Sequence, residues 1–121
     1  MSQDKYKFIE QLKLRFKNFV IDSTKLFRDL PQSGEAKIFG NQFLRSSSSA
    51  GANYHAACRA RSTKEFYAKM SIVVEEIDET CFWLEILTET KVSEISETAN
   101  LLKEAQELLA IVARARKNIY K

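Results

Sequence analysis

One proline, three glycines, two cysteines and a single histidine stand in a chain of 121 residues, and each scarcity excludes something. So few turn residues leave no punctuation for a many-stranded sheet. A lone His55 and no Glu-x-x-His anywhere rule out the carboxylate di-iron pattern that helical bundles host, which needs that motif twice. Cys58 and Cys81 cannot form a disulfide framework, and zinc wants more ligands than these two and His55 supply. No metal or cofactor is expected. The only glycine-bearing candidate for a phosphate loop, Ala50-Gly51-Ala52-Asn53, lacks both the Walker lysine and a preceding strand. Apolar runs are broken by Lys, Glu or Asn well short of the roughly 20 residues a membrane span needs. With no apolar leader before a small-residue cleavage site, the expected setting is a reducing cytoplasm.

What is present is apolar spacing at steps of three and four. Hydrophobic residues make up 45% of the chain and charged ones 29%, which suits one domain over residues 1–121 with a single core. A first helix is expected over 5–30, with Ile9, Leu12, Phe16, Phe19, Ser23, Leu26 and Leu30 as its seam and Phe8, Val20 and Phe27 widening it. Pro31 ends it. A second helix over 35–61 carries Ile38, Phe39, Phe43, Ser46, Ala50, Asn53 and Ala57 at the same steps. It tolerates Gly40, Gly51 and four consecutive serines, each a weak helix former, so its small face is expected to admit a neighbouring helix at close range. Ser62-Thr63-Lys64-Glu65 is a capping box and opens a third helix over 62–90, seamed by Phe66, Met70, Val73, Ile77, Cys81 and Leu84. A fourth is expected over 93–120, apolar at Leu101, Leu102, Leu108, Leu109, Val112 and Tyr120. Four such helices with short connections make an all-α, antiparallel up-down-up-down bundle.

The third helix carries more apolar surface than one core needs, and exposing both Phe82 and Trp83 would be unusual. These two are therefore expected at a contact between subunits.

No catalytic constellation emerges. His55 and Cys58 lie three apart, yet nothing supplies an orienting third group or an oxyanion site; surface and packing roles suit them better. A non-enzyme with no evident small-molecule substrate is the reading. Charge is the remaining signal. The net charge is +3, but residues 62–90 carry two Lys and Arg against seven Asp and Glu, while each of the other quarters is basic. Such asymmetry ordinarily serves solvated faces or helix pairing, and it can also steer an acidic partner. Lys37, Arg45, Arg59, Arg61, Arg114, Arg116 and Lys117 are the candidates for a surface that binds RNA, DNA or another partner, with Lys121 in the same basic terminus. Asn53 and Glu79 are candidates for polar contacts between helices, Glu79 pairing with Arg45 or Asn53 to fix register.

Gln42-Phe43-Leu44-Arg45 followed by a small-residue tract and Asn53, then Arg61-Ser62-x-x-Glu65-Phe66, then Glu75-Glu76-Ile77-Asp78-Glu79 running on to Leu87, resembles the bacterial four-helix bundle proteins encoded in intervening sequences of 23S ribosomal RNA genes. These are similar to accessory proteins of diversity-generating retroelements, which act with a reverse transcriptase and nucleic acid. The resemblance spans essentially the whole chain. It implies the four-helix fold and a homopentamer, not a settled activity; taken with the basic distribution outside residues 62–90, the expected partner is nucleic acid or a ribonucleoprotein, with a protein-interaction scaffold free of nucleic acid as the alternative. Many relatives carry an acidic residue where this chain has Ala56, so no role resting on that carboxylate transfers.

Overall fold

The computed structural model describes residues 3–119. Four helices account for most of them: α1 (Gln3–Asp29), α2 (Gly34–Ala57), α3 (Thr63–Glu89) and α4 (Ser96–Asn118). Each packs on its chain neighbour and α1 closes against α4, while the backbones of the diagonal pairs stay apart across the shared core. This is the all-α four-helix bundle that the spacing predicts. Tyr120 and Lys121, assigned above to the last helix and its basic end, lie outside the described residues.

The seams are legible in what is buried. Leu12, Phe16, Phe19, Ser23 and Leu26 of α1 face inward, meeting Phe43, Ala50 and Tyr54 of α2, Met70, Val73, Ile77, Leu84 and Leu87 of α3, and Leu101, Ala105, Leu108 and Val112 of α4. Phe16 stacks on Tyr54 with ring centroids 4.7 Å apart. Two expected core residues, Ile38 and Phe8, are exposed: Ile38 points about 80° outside the arc that α2 buries, whereas Phe8 keeps to the α1 stripe but lies at the end of the bundle, lining the cavity there. In their place the core accepts polar residues. Thr80 and Ser46 are fully buried and their hydroxyls lie 2.9 Å apart across the α2–α3 interface, each also within reach of a carbonyl one turn back in its own helix. Every oxygen in this pair is thereby satisfied, as burial requires.

The helix bounds shift from the sequence expectation, and at three of them the local cause is visible. α2 stops at Ala57 rather than 61, because Ser62 must be extended (φ −152°) for its hydroxyl to accept from the Glu65 N–H at 3.0 Å. The Glu65 carboxylate completes the cap by accepting from the Arg61 N–H at 3.2 Å. α3 ends one residue early, at Glu89, through Lys91 in the left-handed region (φ 61°), whose N–H reaches the Thr88 carbonyl. α4 begins at Ser96, not 93: Ser93 is buried, with its hydroxyl 2.7 Å from that of Thr98 and accepting from the Ile95 N–H. It folds the connection instead of starting the helix.

The small face of α2 brings α1 close at Gly51. A β-carbon there would sit 2.6 Å from Cγ2 of Val20, nearer than non-bonded carbons pack. Ala normally gains about 1 kcal/mol over Gly in a helix, but the rigid valine cannot step aside, and overpacking costs about 1–3 kcal/mol. Gly51→Ala is therefore expected to destabilise by about 1 kcal/mol in urea unfolding. In a Val20→Ala background the same change is expected to stabilise; equal effects in both backgrounds would refute the contact.

Candidate functional site

Up-down-up-down connection gathers the start of α1, the end of α2, the start of α3 and the end of α4 at one end of the bundle. Side chains from all four, among them Phe8, Leu12, Tyr54, Phe66, Met70 and Ile119, line a cavity of about 530 Å³ there. The described residues at this end, 3–13, 55–69 and 110–119, carry ten Lys and Arg against three Asp and Glu; the other described residues carry eight against thirteen. Five of the seven cations singled out from the sequence converge here: Arg59 and Arg61 in the α2–α3 turn, and Arg114, Arg116 and Lys117 in the last turns of α4. No ion pair engages these five among the described residues. Arg59, Arg61, Arg114 and Lys117 are exposed. Cations at the C-terminal end of α4 are also favoured by its dipole.

The other two cations stand apart. Lys37 is exposed in the first turn of α2, at the opposite end of the bundle. Arg45 is committed to α3: its Nη1 donates to Glu76 at 2.8 Å, its Nη2 to Glu79, and its Nε to Gln42 at 3.0 Å. With two carboxylates on it, Arg45 brings no free positive charge to a phosphate surface. Register between α2 and α3 places it directly over the acidic run.

Glu79 makes the expected contact between helices, while Asn53 bonds within α2, donating to the carbonyl and hydroxyl of Ser49. Glu79 also accepts from Trp83 Nε1 at 2.9 Å. That indole N–H, then Arg45, holds the carboxyl below its ordinary pKa of 4.5 against a smaller opposing effect of burial. A depressed folded-state pKa contributes stability above the unfolded value that is lost as pH falls through the folded one. Glu79→Gln is accordingly expected to flatten the fall in stability below about pH 4.5, measured as urea midpoints against pH. An unchanged acid limb would refute it. Trp83 itself is half-buried and stacks on Phe39 at 6.0 Å, with Phe82 edge-on at 5.0 Å; Phe82 is left 52% exposed.

One feature escaped the sequence reading. Arg15 of α1 donates to Glu104 through Nε at 3.1 Å and Nη2 at 2.7 Å, and lies 3.0 Å from Glu107, tying together α1 and α4, the least closely packed of the neighbouring pairs. The only prior signal was a carboxylate pair three apart on a helix that faces α1. The thiols are poor nucleophiles: burial pushes Cys58 up, and pushes Cys81 up to about 11 with Asp78 and Glu85 adding to it. Among the described residues no cluster of three or more His, Cys, Asp or Glu is placed to hold a metal ion, and no helix is long and apolar enough to cross a membrane.

The family described as 23S rRNA-intervening sequence protein matches residues 6–114. The chain belongs to that family. Its fold is also that of a solved protein from Bacteroides thetaiotaomicron, described as a protein of unknown function from the S23 ribosomal protein family. The two are 27% identical with a TM-score of 0.81, over 91% of this chain and 98% of the other. No curated protein matches at the same standard. Membership accounts for the four-helix architecture over nearly the whole chain and carries no enzymatic description with it.

Proposed function

We propose that this family member is a non-enzymatic, self-associating bundle of the cytoplasm whose basic end holds the phosphates of RNA or DNA, as a binder or scaffold within a ribonucleoprotein. One observation carries the reading: ten cations against three carboxylates gathered from all four helices onto one end, in a chain whose remainder is acidic. Such a surface attracts polyanions through counterion release, without base-specific contacts. The family resemblance supports a homopentamer, in which several such ends would act together.

The test is fluorescence anisotropy with a labelled single-stranded DNA and a structured RNA across about 50 to 200 mM salt. Binding that weakens linearly on a logarithmic salt axis supports the reading, and absence of binding at micromolar protein at the lowest salt overturns it. A second reading, a protein scaffold with no nucleic acid, is favoured by the exposed Leu14, Ile21, Ile72 and Phe82. Partners in pull-downs that survive nuclease treatment would support it.

A further inference from the structure

Among the described residues, apart from the isolated Ile38 and the aromatics at the basic end, exposed apolar side chains lie on the outer faces of α1 and α3, and these faces are opposite in charge. On α1, Leu14 and Ile21 are 57% and 43% exposed and lie with Lys17 within about 60° of arc at 100° per residue. They border a groove of about 650 Å³ between α1 and α2, whose α2 side is built from Ser48, Gly51 and Ala52 and whose α1 side adds Lys13 and Glu10. Lys13 lies 3.6 Å from Glu10, which leaves Lys17 to set the sign of the middle of the groove. On α3, Ile72 and Phe82 are 38% and 52% exposed and share an arc of about 80° with Glu75. Asp78 and Glu85 stand exposed at its edge.

We infer that the outer face of α3 in one copy docks into the α1/α2 groove of the next, Ile72 and Phe82 packing on Leu14 and Ile21. Small side chains lining the groove leave room for a helix to approach closely, the same property that draws α1 and α2 together at Gly51. Charge selects the pairing. Stacking α1 on α1 would set Lys17 against Lys17, and α3 on α3 would set Glu75 and Asp78 against their own copies; only the mixed contact joins unlike charges. Because α1 and α3 stand diagonally across the bundle, their outer faces look opposite ways, and each copy gives one face and receives another. The contact is therefore heterologous, closing into a ring or continuing as a filament. Where successive copies turn about an axis along the bundles, every basic end falls on the same side of the assembly.

This inference rests on the self-association proposed above and is independent of phosphate binding. Its test uses two full-length variants, one with the groove spoiled (Leu14→Asp with Ile21→Asp) and one with the α3 face spoiled (Ile72→Asp with Phe82→Asp), measured by light scattering. Each alone is expected to run at the 13.9 kDa of the single chain. Mixed in equal amounts they are expected to give twice that mass, since one intact groove then meets one intact face and propagation stops there. Variants that keep the wild-type oligomer, or a mixture that stays monomeric, would overturn the inference while leaving self-association standing. A wild-type monomer at high micromolar concentration would overturn both. Should an aspartate variant lose helicity by circular dichroism, the mixing is repeated with Lys13→Glu/Lys17→Glu and Glu75→Lys/Asp78→Lys, which leave the core untouched: each alone sets like charges at the contact and is expected to stay monomeric, while the mixture joins unlike charges at both kinds of contact and is expected to assemble beyond a pair, and a mixture that stays monomeric would overturn the inference.

Discussion

Phe16→Ala is expected to lower the unfolding free energy by about 3–5 kcal/mol, the range for emptying a fully buried aromatic site. Phe16 is 1% exposed, stacks on Tyr54, and lies in α1 next to the turn that Gly51 lets close. The site cannot collapse into the void: Tyr54 is itself wedged between helices, and Val20 already touches the α2 backbone. Against a total of about 5–15 kcal/mol for a small domain, such a loss brings the variant near its unfolding midpoint. Urea titration followed by helical circular dichroism measures it, with the denaturant slope unchanged if the effect lies in the folded state. Phe8→Ala supplies the contrast. Half-exposed at the mouth of the end cavity, it is expected to cost well under 1 kcal/mol. Equal losses for the two phenylalanines would show that the core is not where the bundle places it.

That contrast also marks how far spacing alone carries. The period in α1 places Leu12, Phe16, Phe19, Ser23 and Leu26 inward because successive steps of three and four keep to one stripe, and the stripe is what packs. It tells neither how wide the stripe is nor where along it the bundle ends, so Ile38, beside the stripe of α2, and Phe8, on the stripe of α1 but at its outer end, read as core and are left exposed. In α3 the same limitation runs the other way: Thr80 lies on the arc with Ile77 and Leu84 yet reads as polar, and the Glu76 carbonyl with the facing hydroxyl of Ser46 makes its burial acceptable. Of the candidate site, Ser62 and Glu65 were legible because a cap is a local interaction, and the Arg45–Glu79 contact because both residues stood out as charges near a packed face. The basic end was hidden in plain view. Counted along the chain, its charges are spread over segments that also hold carboxylates, since an end of a bundle is made of short pieces of every helix. Charge tallied by sequence quarter averages over both ends; only the up-down-up-down frame sorts them.

The sharpest functional test follows from that sorting. Replacing Arg59, Arg61 and Arg114 together by glutamate removes three cations that no carboxylate neutralises among the described residues and adds three anions where phosphates would lie. Each lost phosphate contact reduces the steepness of the logarithmic salt dependence by roughly 0.7 to 0.9, so the triple variant is expected to bind with a slope shallower by about 2 to 3. Its affinity at about 50 mM salt should fall by about 10² to 10³-fold. Two comparisons separate a local surface from diffuse net charge. Lys37→Glu changes the total charge by the same amount per residue but at the far end of the bundle, and is expected to shift affinity by about twofold at most, since a charge several Debye lengths away is screened. Arg45→Gln is expected to behave likewise, because Glu76 and Glu79 already neutralise that guanidinium. Circular dichroism should be unaltered in all three, as none of the replaced side chains is buried. If Lys37→Glu weakened binding as much as Arg59→Glu alone, attraction would be a property of the whole molecule and the basic end would lose its special standing. If the triple variant bound as the wild type does, the cations at this end would serve only the helix termini, and the exposed apolar faces of α1 and α3 would become the surfaces through which this protein meets its partners.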